Sequence, residues 1–403
     1  MDFLDEITAI LATGPLCDHC LGRFYGKRSH GLSNDERGRA IRITHGITND
    51  IPFTPAESCW ICGGLFTRTG EWADRAIQAM EGIEYASFLV GTKVPPIMAE
   101  AEEMVWSDLS LAGAEPLKAE MNREVGKIIQ HRTGKEAEFA HPDVVAILDI
   151  AAGVVDLQIN PLFITGRYRK FERGIPQTHW DCRTCRGKGC ERCNFTGKQY
   201  QDSVEELIGR PVIAALEAEN AVLHGAGRED IDARMLGTGR PFILEVVAPR
   251  KRSIDLAALE QQVNIAAEER VGVTFEGWSD RRAVETLKSK KANKRYRIFV
   301  QVDGETSPDE LRQALARLNG AVIHQRTPQR VAHRRADKVR ERSVVAIELV
   351  RAEDGRFLIE VVGEAGLYIK ELITGDAGRT QPSLSGILEK NARVTSLDVV
   401  LVE

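Results

Sequence analysis

Three short stretches of this chain carry side chains that could do chemistry together. Gly227-Arg228-Glu229-Asp230 ends in a carboxylate with an arginine two residues before it, and Gly237-Thr238-Gly239-Arg240-Pro241-Phe242 follows closely. Tyr296 lies in the basic stretch Lys294-Arg295-Tyr296-Arg297, and Tyr368-Ile369-Lys370 offers a phenol and an ammonium. No Ser-His-Asp grouping accompanies them, so Asp230 reads as a lone nucleophile acting on RNA. A turn rich in Gly and Asp would account for the same residues, and Asp232 is the nearest rival carboxylate. The glycines do not form a nucleotide loop, because they follow a helix-like stretch and lack a third glycine.

A second constellation is metallic. All 8 cysteines fall in four C-x-x-C pairs: Cys17/Cys20, Cys59/Cys62, Cys182/Cys185 and Cys190/Cys193. Two thiolates separated by two residues grip one tetrahedral ion from a tight turn, and two such pairs close a structural site. The simplest allocation is one zinc per neighbouring group of four, hence two zinc ions; four thiolates at this spacing also suit iron. Disulfides would need an oxidising compartment, and the acidic start Asp2-Phe3-Leu4-Asp5-Glu6 is unlike a signal peptide. Gly187, Gly189 and Gly197 around the second group resemble the zinc repeats of J-type co-chaperones.

These groups must be carried by 403 residues, enough for two or three domains. Composition is that of an ordinary soluble protein, with 43% hydrophobic residues and no run long enough to span a membrane. A cytoplasmic location is expected. The net charge of −5 hides an uneven distribution. Lys288 to Arg297 contains no acid, Arg326 to Arg342 is strongly basic, and smaller clusters sit at Arg167-Tyr168-Arg169-Lys170 and Arg250-Lys251-Arg252. One such run is usually a solvated face. Four such runs, two of them with an interleaved tyrosine, favour a polyanion that is partly single-stranded.

Hydrophobic patterning predicts an α+β protein. A zinc-bearing module covers 1–66, a helix over Met121–His131 and short strands over Asp143–Ile150, Val154–Ile159 and Leu162–Ile164 follow within 67–180, and 181–200 is a zinc-knuckle connector. In the second half, 201–403, Ser203-Val204-Glu205-Glu206 is a capping box ahead of a helix running toward Leu223. Strands are expected at Phe242–Ala248, Gly272–Gly277, Tyr296–Val302, Val344–Val350, Phe357–Val362 and Leu397–Val402, with a helix from Ser307 to Leu318. Helices flanking a mainly antiparallel sheet would account for this order.

Taken together, Gly227–Phe242, Lys294–Arg297, Gln325–Pro328 with His333-Arg334-Arg335, Gly366–Leu372 and Gly378–Ser383 resemble the pseudouridine synthase superfamily, most closely its archaeal branch acting on the T-arm of tRNA. Pro161–Lys170 and Gly174–Trp180 resemble the closing segment of the THUMP-type RNA-binding domain that this branch carries, which implies a THUMP domain over 67–180 measuring the 3' acceptor end of tRNA.

The resemblance implies that uridine is isomerised to pseudouridine at T-loop positions 54 and 55, with no organic cofactor, no membrane and no obligate protein partner. It assigns Asp230 as nucleophile, Lys370 as the cation holding it charged, Tyr296 as the stacking partner of the uracil and Tyr368 as a residue facing the base. Arg228 would fill the space vacated by the flipped base. The basic loop with Arg326, Arg334 and Arg335 would grip the T-arm, joined by Arg379, Arg167 and Arg169. The competing readings are a THUMP-linked methyltransferase or sulfur-transfer enzyme, which would need a donor-binding loop, and a zinc-stabilised RNA-binding module with Asp230 as a turn residue.

Overall fold

The computed structural model describes residues 3–111, 113–334, 336–353 and 356–403. It divides into two compact units, Met1–Asn160 with Arg250–Arg252, and Pro161–Pro249 with Ser253–Glu403.

The first unit is built on strands β1 (Ser87–Lys93), β2 (Glu136–Ala137), β3 (Val144–Asp149) and β4 (Val154–Ile159), ordered β2-β1-β3-β4. β1 runs parallel to β2 and β3, while β4 returns antiparallel. Alternation in β3 sends Val144, Ala146 and Leu148 inward, each fully buried. Trp72 and Ala76 of the helix Thr69–Ala79, and Met121, Val125 and Ile129 of Leu117–Thr133, belong to the same core. The N-terminal helices join it through Ile7, Ile10 and Leu21. Helices Asp18–Arg23 and Asn34–Asn49 cross so closely that a Cβ on Gly22 would lie 1.8 Å from the Asn34 carbonyl oxygen, so glycine is required there.

The second unit holds one ten-stranded sheet: β5 (Leu162–Lys170), β6 (Asn220–Gly225), β7 (Arg234–Val247), β8 (Val271–Ser279), β9 (Lys294–Val302), β10 (Val322–Arg326), β11 (Val339–Glu353), β12 (Arg356–Gly363), β13 (Thr380–Gln381) and β14 (Ala392–Val402). The order is β13-β10-β11-β12-β9-β14-β7-β5-β8, with β6 also on β7. It is mixed rather than purely antiparallel, because β14 and β7 run parallel where Asp398 and Val399 face Arg234 and Met235. At that crossing a Cβ on Gly237 would sit 1.9 Å from the Val400 carbonyl oxygen, and its φ of 57° lies in the left-handed region. One glycine of Gly237-Thr238-Gly239 thus serves strand approach rather than ligand binding.

Three elements depart from expectation. The helix opening at Ser203 spans Val204–Leu216, because Glu217 turns left-handed (φ 49°) and the alternating Ala221 and Leu223 then bury as a strand on β7. The stretch Leu162–Lys170, expected to close the RNA-binding module, pairs with β7 and β8 inside the second sheet. Ile164 and Tyr168 are fully buried there, and the division falls at Asn160 rather than near 180. Charge repulsion alone would keep a stretch as basic as Arg326 to Arg342 from folding until it met phosphates. Its described residues instead connect β10 to β11 in an antiparallel hairpin, with Arg326 paired to Asp337 and Arg330 to Asp230 and Glu371. Among the described residues, no helix is long and apolar enough to cross a membrane.

Candidate active site

The loop joining β6 to β7 carries Glu229 and Asp230, and its two neighbouring carboxylates point to opposite fates. Glu229 goes inward. Its side chain is 1% exposed and accepts from Arg240 Nε at 2.8 Å and from the Tyr168 hydroxyl at 2.8 and 3.0 Å. Arg240 and Tyr168 are themselves buried, as is Lys170, whose Nζ stands 4.0 Å from Glu229. Burial pushes the Glu229 carboxyl upward, but Arg240 and Lys170 outweigh it and leave its pKa below the ordinary range.

Lys170 completes the anchor. Its Nζ donates to the backbone carbonyls of Ile175 at 2.8 Å, Ile231 at 3.1 Å and Asp230 at 3.3 Å. Gln177 donates to the Tyr168 hydroxyl and to the Gly227 carbonyl. Arg173 donates to the Asp232 carbonyl and pairs with Asp398, which also takes Arg234 in a two-point contact. The loop backbone is therefore tied at Gly227, Asp230, Ile231 and Asp232 by side chains from β5 and the segment after it.

Asp230 faces outward, with its carboxylate 32% exposed. Arg330 NH1 donates to its Oδ1 at 2.9 Å, and Lys370 Nζ lies 3.5 Å from its Oδ2. Lys370 is closer to Asp232, at 2.7 and 2.8 Å, so of the two cations Arg330 makes the shorter bond to Asp230. Arg330 is held from behind by Glu371, whose side chain is 5% exposed, at 2.7 Å. Burial works against its charge, yet Glu371 and Asp230 raise its pKa above the ordinary guanidinium value. Arg330 lies in the basic run read from sequence, but nothing in the spacing marks it as the partner of a residue 100 positions away.

The aromatic residues converge as well. Tyr368 stands at the N-terminus of the helix Ile369–Thr374, and the buried Gln325 holds its backbone at both N–H (2.8 Å) and C=O (2.9 Å). The Arg330 guanidinium lies 6.0 Å from the Tyr368 ring. Tyr296, on β9, is pushed up to about 12, chiefly by burial, with Arg240 opposing and Asp230 adding. Lys294 is pushed down to about 8 by burial and by Arg240.

Other residues singled out from sequence sit elsewhere. Arg228 stacks over Trp180 at 5.0 Å. Arg326 and Arg379 both pair with Asp337. Arg167 pairs with Glu276 at 3.2 Å, and Arg169 lies over Phe171. Arg335 and the side chains of His333 and Arg334 lie outside the described residues.

The cysteines assemble into the two expected groups, Cys17/Cys20/Cys59/Cys62 and Cys182/Cys185/Cys190/Cys193, with the sulfurs of each within 4.8 Å of one another. Sulfur pairs at 3.7 to 3.9 Å match the edge of about 3.8 Å that a tetrahedron with metal–sulfur bonds of about 2.3 Å requires. Backbone N–H groups of Gly189 and Gly197 point at Cys185 and Cys193 sulfurs, as thiolates bound to a cation demand. Both groups could hold a metal ion.

The Pus10 C-terminal family model matches residues 163–403, and the archaeal Pus10 THUMP domain model matches 72–149. The chain is similar to tRNA pseudouridine synthase Pus10 of Methanothrix thermoacetophila, 45% identical over 99% of this chain and 94% of that protein. It is 44% identical to the protein of the same name from Halorubrum lacusprofundi, over 100% of this chain and 97% of that one. The likeness extends over both units, and on it the chain belongs to the Pus10 family of tRNA pseudouridine synthases.

Proposed function

We propose that this protein isomerises uridine in the T-loop of tRNA, at one or both of two adjacent positions, with Asp230 as the group that starts the reaction. The observation that supports this best is the contrast at residues 229 and 230. A buried ion pair ties the loop down while the next carboxylate stands partly open between Arg330 and Lys370.

A carboxylate so paired is aimed before substrate arrives. It attacks C1' of the nucleotide, or removes the C2' proton, and the bond from C1' to N1 breaks. The freed uracil turns and C1' joins C5 as the bond from Asp230 to C1' breaks, or, in the second route, as the proton returns to C2'; the C5 proton is then lost and N1 gains one. The atoms balance without oxidant or donor. Tyr296 stacks on the base, Tyr368 faces it, and Arg228 occupies the space left when the nucleotide swings out of the arm. Arg167, Arg169, Arg326, Arg334, Arg335 and Arg379 bind RNA phosphates, and the THUMP domain in the first unit engages the 3' acceptor end. Both four-cysteine groups hold zinc, which fixes the thiolates as structural ligands. The setting is cytoplasmic.

The test is incubation with an unmodified tRNA transcript and mapping of pseudouridine by carbodiimide-dependent primer extension. Wild type gives product in the T-loop, Asp230→Ala gives none, and Asp232→Ala retains most of it. Product from Asp230→Ala would overturn the assignment. Metal analysis should find about two zinc ions in a colourless protein, two because two complete four-thiolate sites are present; an iron colour would replace zinc by iron.

A further inference from the structure

The second cysteine group does more than staple a loop. Its chain enters and leaves side by side, with Asp181 bridged to Lys198, Cys182 N–H on the Gly197 carbonyl at 2.7 Å and Gln199 N–H on the Trp180 carbonyl at 2.9 Å. The tip of the knuckle presents Phe195, 74% exposed and held at φ 60°. That left-handed backbone is unusual for a bulky aromatic residue, and a large apolar ring facing water gains nothing for folding. In the same knuckle Arg183, Arg186, Lys188 and Arg192 are exposed, and among the described residues none has a carboxylate at ion-pair distance. The tetrathiolate with a bound dication would carry two negative charges inside, so the outward cations are the part a ligand meets.

The base of the knuckle abuts the nucleophile loop. Trp180, at its entry, meets Tyr200, at its exit, edge to face at 5.8 Å, and Arg228 lies over Trp180 two residues before Asp230. Aromatic rings and cations thus occur both on the knuckle and at its base, beside the loop that carries the reacting carboxylate.

We propose that this knuckle is an RNA-binding surface that takes unpaired nucleotides next to the target uridine, with Phe195 stacking on a base and Arg186 and Lys188 on phosphates. The proposal rests on the tRNA-modifying reading above. Bases have a π-face whatever their sequence, and phosphates supply the anions the exposed cations lack, so a single-stranded segment meets both features at once.

The test uses the full-length protein and an unmodified tRNA transcript, with zinc content checked to be equal in all variants. Phe195→Ala should raise KM about tenfold with kcat unchanged, in line with base stacking worth ~1–3 kcal/mol, while Phe195→Trp keeps the wild-type KM. Arg186→Gln with Lys188→Gln should flatten the dependence of log Kd on log salt by about 1.4, two cations at about 0.7 each on a single strand. Unchanged KM and salt slope overturn the proposal. So does a fall in kcat at constant KM, which would make the knuckle a support for the nucleophile loop. If the wild-type protein forms no pseudouridine, the functional reading fails on its own, and Kd values for the same variants still decide whether the knuckle touches RNA.

Discussion

Two loops meet at Asp230, and they are held by opposite kinds of electrostatics. The loop that carries Asp230 is nailed from inside by Glu229, Arg240, Tyr168 and Lys170, all buried. The loop that carries Arg330, between β10 and β11, has one buried tie, Arg330 to Glu371, and beyond it exposed pairs, where Asp337, 43% exposed, meets Arg326 and Arg379. A buried pair cannot trade a partner for water, whereas an exposed one can. The loop of Asp230 is thus preorganised, whereas the exposed pairs of Asp337 with Arg326 and Arg379 can yield to an RNA phosphate at small cost.

The comparison breaks most sharply at Glu229. Glu229→Leu leaves Arg240 and Lys170 charged and buried without their carboxylate, and should lower stability by about 3–5 kcal/mol. Denaturant unfolding with intact slope measures it, and a loss under about 1 kcal/mol would mean that water reaches the network.

A pH effect comes next. The folded-state pKa of Lys294, about 8, lies below its ordinary value of 10.5. The unfolded chain therefore binds more protons in that window, and folding stabilises as pH rises from about 8 toward 10.5. At about 1.4 kcal/mol per unit, the gain of wild type relative to Lys294→Met should approach about 3 kcal/mol. Parallel stability curves for the two proteins over that range would show that Lys294 is well solvated.

Arg330→Gln removes the shortest cation contact of Asp230 while Glu371 remains. It should lower kcat by about 10- to 100-fold, roughly 1.4–2.7 kcal/mol of barrier, and should also lower stability, because Glu371 stays buried without its cation. An unchanged kcat would assign the holding of Asp230 to Lys370, 3.5 Å from it.

The smallest change belongs to the outer loop. Asp337→Ala should cost no more than about 1 kcal/mol of stability, as for other exposed pairs. It should also tighten tRNA binding by freeing Arg326 and Arg379, and weaker binding would mean that Asp337 shapes the loop for RNA.

Much of this was legible beforehand for physical reasons that are local. The periods of two in Val144–Asp149 and Lys294–Val302, the cap at Ser203 and the C-x-x-C spacing each act over a few residues. The strand Asn220–Gly225 was hidden because the apolar run from Val204 onward suits a helix until Glu217 turns the chain. Lys170 looked like one more charge in a basic cluster, since its partners Asp230 and Ile231 lie 60 and 61 positions on.

By itself, then, the sequence determined which side chains are available: the carboxylates at 229, 230 and 232, the paired thiols and the basic stretches. Only the tertiary structure decided that Glu229 turns inward and Asp230 outward, that Arg330 rather than Lys370 makes the shorter bond, and that the strand Leu162–Lys170 underlies the site. Adjacent carboxylates are chemically near-equivalent until strands distant in the chain set one in a dry pocket with two cations and leave the other at its mouth.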